Sequence, residues 1–211
     1  MNGAAFRELL VEALPRLELA RDELRDLDAA IGDGDLGITV GDGAAAARTA
    51  LLALPDDRPI GAILFGIAPA VARANPSTFA GLVAMGLLAA SRSLGDRDDV
   101  DFEAGLAAAR AGADAIAARG KSALGDKTLL DALVPSLEAA ATHPEAPLEA
   151  AVEAAKQGIE ETRGLTSQRG RAAWLGERSR GHPDPGATAY LRLLEALAAV
   201  VATTKEAGVQ S

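Results

Sequence analysis

Leu27-Asp28-Ala29-Ala30-Ile31-Gly32-Asp33-Gly34-Asp35-Leu36-Gly37-Ile38-Thr39 is the stretch on which the reading of this chain turns. Ten of these residues, Asp28 to Gly37, hold three carboxylates and three glycines, between segments that read as Ala/Leu-rich helix. Like charges this close repel unless a cation neutralises them. Mg²⁺ takes hard oxygen ligands and keeps positions for water and phosphate oxygens. Asp28 at a helix end, with Asp33 and Asp35 in the turn, could therefore serve one ion or share two. The glycines are expected where a backbone must approach a ligand. Gly37-Ile38-Thr39 would then open a helix whose free N–H groups suit phosphate. A solvated Asp/Gly turn, with Asp35 capping the next helix, is the competing reading. The stretch is not an EF-hand, lacking the ligand spacing and final Glu, nor a P-loop, since no Gly-Lys-Ser/Thr follows.

Outward from this loop the pattern is helical. Residues 4–30 place Phe6, Leu10, Leu14, Leu17, Leu24 and Leu27 broadly at helical steps, with Pro15 expected to kink or divide the stretch. Helices are expected over 38–54, 60–73, 79–94, 100–119, 129–142 (despite Pro135), 148–163 and 187–205, with a frayed tail over 207–211. Gly81 and Gly86 would let helices approach closely. No segment alternates with a period of two, so no sheet is expected. The short turns favour antiparallel neighbours in a closed all-α bundle, with residues 1–211 as one domain.

Composition narrows the function. Hydrophobic residues make up 49% of the 211 but aromatics only 3%, so small aliphatic side chains must do the packing. A formal net charge of -9 argues against nucleic-acid and anionic-membrane surfaces. The absence of cysteine excludes disulfides and thiolate chemistry, and two histidines make a multi-histidine zinc site an unsuitable reading. Met1 to Glu12 lacks a signal-peptide apolar core and no run approaches eighteen uninterrupted apolar residues, so a cytoplasmic protein is expected.

Two further breaks carry polar groups. Asn75-Pro76-Ser77-Thr78 offers hydroxyls at a helix start, which serve as caps more often than as phosphate ligands. Cations gather in Arg119-Gly120-Lys121, in Gly125-Asp126-Lys127-Thr128, and in Gly170 to Gly186, where Arg can grip phosphate bidentately. Asp184-Pro185 reads as an N-cap and N1 pair for the last helix. His182 reads as a ring packed in a turn rather than as a general base.

Three separated motifs, Leu27 to Gly37, Gly125 to Asp131 and Gly170 to Gly186, resemble the L subunit of dihydroxyacetone kinase, the ADP/ATP-binding half of that enzyme. The corresponding family patterns are L-D-x-x-I-G-D-x-D-H-G, G-D-K-T-x-x-D and G-R-A-x-x-L-G-E-R-S-x-G-H-x-D-P-G. The resemblance spans essentially the whole chain. It implies a barrel of eight antiparallel helices with the nucleotide at one end, and two Mg²⁺ ions held by Asp28, Asp33 and Asp35. It further implies nucleotide contacts at Leu36, Gly37, Ile38, Thr39, Gly120, Leu129, Arg171, Asp184, Pro185 and Gly186, with Ser77 and Thr78 as looser matches. Arg171 would join the aspartates in catalysis. The implied partner is a K subunit that binds the ketose, with free ATP or a phosphotransferase-system phosphocarrier as the phosphoryl source. A non-catalytic nucleotide sensor is the alternative. Two departures stand out: Leu36 replaces the family's histidine, and Arg73 to Gly81 replaces its glycine-rich loop.

Overall fold

Alanine, leucine and small residues at helical spacing build one helix after another along this chain. The computed structural model describes residues 1–209 and contains α1 (Gly3–Glu18), α2 (Arg21–Ile31), α3 (Leu36–Ala53), α4 (Ile60–Ala74), α5 (Thr78–Leu94), α6 (Phe102–Gly120), α7 (Leu130–Thr142), α8 (Pro147–Arg163), a 3₁₀ segment (Arg171–Ser179) and α9 (Pro185–Val209). No strand occurs among the described residues, only an isolated bridge between Asn2 and Asp99. The tail expected over 207–211 is helical through Val209, and Gln210 and Ser211 lie outside the described residues.

Eight helices close a ring. In order α1, α3, α4, α5, α6, α7, α8 and α9, each packs on the next, and α9 returns to α1. Short α2 stands apart, lying on α3 and α9 and touching the 3₁₀ segment. Antiparallel winding puts the N-termini of α3, α5, α7 and α9 at one rim, together with the C-termini of α4, α6 and α8. That rim carries the acidic loop.

Small residues set the helix spacing. A side chain at Gly86 would meet Ile116, and the Gly112 Cβ position lies 3.1 Å from the Gly86 carbonyl oxygen, so α5 and α6 cross glycine to glycine. Gly81, by contrast, faces open space. With few aromatics to fill it, the barrel axis retains an apolar cavity of about 830 Å³, lined among others by Leu14, Val40, Leu64, Phe79, Leu133 and Tyr190. By length and composition, Pro185–Thr204 in α9 could cross a membrane, but here it is a barrel stave packed on α1, α7 and α8.

Pro15 does not divide the first helix, contrary to expectation; the break falls at Leu19-Ala20. Proline removes the donor that would reach the carbonyl four residues back, and here Arg48 Nε donates to that Val11 oxygen at 3.3 Å. A long-range partner replaces the lost helical bond, so the helix continues.

Candidate functional site: an acid cluster under an arginine strap

The turn between α2 and α3 brings the three aspartates together. One carboxylate oxygen from each of Asp28, Asp33 and Asp35 lies within 4.8 Å of the others. Their glycines serve the turn itself. A Cβ at Gly32 would strike the Asp28 carboxylate, and Gly34 takes a left-handed φ of 77°. At Gly37 a Cβ would run into the backbone of α2 at Arg21 and Arg25. Helix–helix approach by itself therefore requires a glycine here.

Asp35 occupies the N-cap position of α3 but makes no side-chain cap bond, so the plain-cap reading is not realised. Instead, Leu36 N–H donates to Asp28 Oδ2 at 3.3 Å. Burial pushes the Asp28 carboxyl above its usual range; the Leu36 N–H opposes this, while the charges of Asp33 and Asp35 add to it. Arg171, from the 3₁₀ segment, donates to Asp33 and, at 2.9 Å, to Asp35. At Asp33, desolvation favours the protonated acid, but the Arg171 hydrogen bond and charge outweigh it and hold the carboxyl below its usual range. The Asp35 and Asp33 hydrogen bonds in turn raise the Arg171 guanidinium. Three hard oxygen donors around one point fit a divalent cation such as Mg²⁺.

The other expected residues gather at the same rim without sharing one point. Leu36 turns its side chain into the core, where the family pattern has histidine. Ile38 is exposed, while the Thr39 hydroxyl is buried beside the barrel cavity without a partner and its N–H donates to Asp35. Ser77 caps α5 through Ala80 N–H at 3.1 Å, with Thr78 exposed beside it. The Gly186 Cβ position lies 3.2 Å from Phe79, and that of Gly120 lies 3.7 Å from Leu82, so the starts of α5 and α9 meet, as do the start of α5 and the end of α6. Leu129 packs nearby with Leu82. Asp184 is buried and caps α9 through Ala187 N–H at 2.7 Å, with Pro185 as the first helical residue. Burial raises its carboxyl to about 7, against the pull of the Ala187 N–H and Lys127. His182 is exposed rather than packed in a turn, next to Gly181 at a left-handed φ of 82°.

Lys127 is the residue whose role the sequence reading missed. Counted there only within a concentration of cations, it is 1% exposed and donates to the Arg163, Leu165 and Ser179 carbonyls at 3.0, 3.0 and 2.7 Å. An ammonium has three donors, so none is left for phosphate. The G-D-K-T-x-x-D spacing held the signal: Asp131 accepts from Gly125 N–H at 2.6 Å and Thr128 N–H at 2.7 Å, folding the loop that turns Lys127 inward.

Fold and site together define a class: an all-helical barrel with a cluster of three carboxylates, able to hold a hard cation, at one rim. The chain belongs to the DAK2 domain family, whose model matches residues 30–199. It is 33% identical to the ADP-binding subunit DhaL of the PEP-dependent dihydroxyacetone kinase of Escherichia coli, over 83% of this chain and 86% of that one. It is 38% identical to L-erythrulose 1-kinase of Mycolicibacterium smegmatis over 83% of this chain, but spans only 32% of that protein. The dihydroxyacetone kinase of C. freundii in its native form superposes with a TM-score of 0.77 at 25% identity, over 95% of this chain and 35% of that one.

Proposed function

We propose that this chain is the nucleotide-binding, phosphoryl-donating subunit of a dihydroxyacetone-type kinase, acting on a small ketose held by a partner K subunit. The observation that carries this reading is the Asp28, Asp33 and Asp35 cluster with Arg171 across it, at the rim of a DAK2 barrel. Supporting it are relatives named as the DhaL subunit and a C. freundii kinase solved with AMP-PNP and Mg²⁺. The three aspartates would hold Mg²⁺, as two ions sharing them, and bound metal would neutralise charge on the phosphates. Phosphoryl transfer depends on positioning and charge neutralisation more than on covalent chemistry by the protein. The ketose hydroxyl oxygen bonds to the terminal phosphorus as the bond to the nucleotide's leaving oxygen breaks, and the hydroxyl proton is released.

Asp28, half-buried and braced by Leu36 N–H, fixes one side of the cluster, and Asp33 and Asp35 fix the other. Arg171 pairs with both Asp33 and Asp35, and would turn from carboxylate to phosphate once nucleotide is bound. Asp184, Pro185, Gly186, Ser77, Thr78, Gly120 and Leu129 bound the rest of the nucleotide site. The reading places the protein in the cytoplasm, with free ATP or a phosphocarrier as the source of phosphate; gel filtration after loading with ATP separates these by whether nucleotide exchanges.

Asp33→Ala is expected to remove Mg²⁺-nucleotide binding and phosphoryl transfer while leaving helix content unchanged. Normal binding and turnover with a K subunit would overturn the site. A nucleotide sensor is the second reading, favoured by the inward-facing Leu36. Tight nucleotide binding without transfer to dihydroxyacetone or erythrulose supports it.

A further inference from the structure

We infer that Lys127, assisted by Asp126, is a positioning residue that holds Arg171 over the acid cluster. The inference rests on the nucleotide reading of that cluster. Arg171 belongs to residues 164–184, which run from the end of α8 to the start of α9. Residue 171 is exposed and belongs to a short 3₁₀ turn, so its placement depends on where this strap is tied.

Both ends are tied to one loop. Lys127 Nζ gathers the Arg163 and Leu165 carbonyls at the strap's beginning and the Ser179 carbonyl near its end. The backbone oxygen of Asp126 accepts from Gln168 N–H at 2.9 Å, and its carboxylate accepts from Arg169 Nε at 2.9 Å. Around the ammonium, Gly181 N–H donates to the Arg163 carbonyl at 2.9 Å, and Ser167 N–H donates to Ser179 Oγ at 2.9 Å. Ser179 Oγ donates on to the Gly176 carbonyl at 2.7 Å. The strap thus becomes a closed loop pinched at its neck, with Arg171 at its outer turn. A buried ammonium costs free energy unless hydrogen-bonded, and here every proton has an acceptor. Without the ammonium, the Leu165 and Ser179 carbonyls lose their donor and the Arg163 carbonyl keeps only Gly181 N–H. The neck then opens, and Arg171 loses its fixed distance from Asp33 and Asp35.

The test is a double-mutant cycle in the full chain. Lys127→Met keeps the length and removes the charge. Relative to wild type, it is expected to weaken Mg-ADP binding in calorimetry by about tenfold to a hundredfold, the worth of one hydrogen bond to a charged group that a displaced Arg171 would no longer make. In an Arg171→Met background the same substitution should change affinity by less than about twofold. Amide exchange at Ser167, Gln168 and Gly181 should accelerate in Lys127→Met, with helix content by circular dichroism unchanged. Equal losses in both backgrounds, or unaltered exchange at those amides, would overturn the inference. Should Lys127→Met fail to fold, Asp126→Ala, which frees Arg169 but leaves the ammonium, carries the same cycle with the same criterion. Wild type that binds no Mg-ADP would refute the nucleotide reading, whereas the amide exchange judges the strap independently of nucleotide.

Discussion

Replacing Gly37 by alanine tests whether the packing of α2 on α3 sets the geometry of the acid cluster. An added Cβ would lie 2.8 Å from Arg25 N and 3.1 Å from the Arg21 carbonyl carbon, and closer still to the Arg21 oxygen. These are backbone atoms of a helix, which no rotamer change can move aside. Ordinary contact begins near 3.4 Å, so α2 must retreat by about 1 Å, an overpacking that costs about 1–3 kcal/mol. Alanine's better helix propensity returns up to about 1 kcal/mol, and the balance stays destabilising. At about 2–4 °C per kcal/mol for a chain of this size, the midpoint should fall by several degrees. The retreat carries Asp28 away from Asp33 and Asp35, and losing one contact to a charged group, about 1.5–3 kcal/mol, corresponds to an affinity loss of about tenfold to a hundredfold. Gly61→Ala is the control, because its Cβ meets the Gly95 and Ser91 carbonyls at the opposite rim. Thermal melts and Mg-ADP calorimetry on both variants decide the matter. Both should melt earlier, and only Gly37→Ala should lose nucleotide affinity. Wild-type affinity in a destabilised Gly37→Ala protein would refute the link between helix approach and site geometry.

Two further outcomes follow from the same structure. Arg48→Met leaves the Val11 carbonyl without a donor and should cost about 1–3 kcal/mol in urea melts. That cost should largely vanish in a Pro15→Ala background, where the helix supplies its own N–H; an undiminished cost refutes the compensation. Asp184, raised to about 7 by burial, binds its proton more tightly folded than unfolded, where an aspartate titrates near pH 4. Its stabilising contribution is therefore full below about pH 4 and is lost as pH rises through about 7. Asp184→Asn keeps an N-cap, so the stability of wild type minus variant should fall across that window, and a flat difference refutes the assignment.

Helix positions were legible in the sequence because their causes are local: apolar spacing, prolines, glycines and capping side chains act within a few residues. For the same reason Asp28, Asp33 and Asp35 stood out as a cluster, Ser77 and Asp184 read as caps, and the three motifs carried the family resemblance. Local rules misread the residues whose partners lie far along the chain. Pro15 looked like a break because the compensating donor is Arg48. Gly37 looked like a ligand-facing gap, yet the backbone of α2 fills it. Lys127 read as one of a gathering of cations until the fold brought three carbonyls from 163, 165 and 179 around it. Only the closed ring decides that α3, α5, α7 and α9 begin at one rim, and that Arg171 meets Asp33 and Asp35 from 138 and 136 residues away. Helix formation is local, whereas charge pairing and the satisfaction of freed carbonyls depend on which helix ends the barrel brings together.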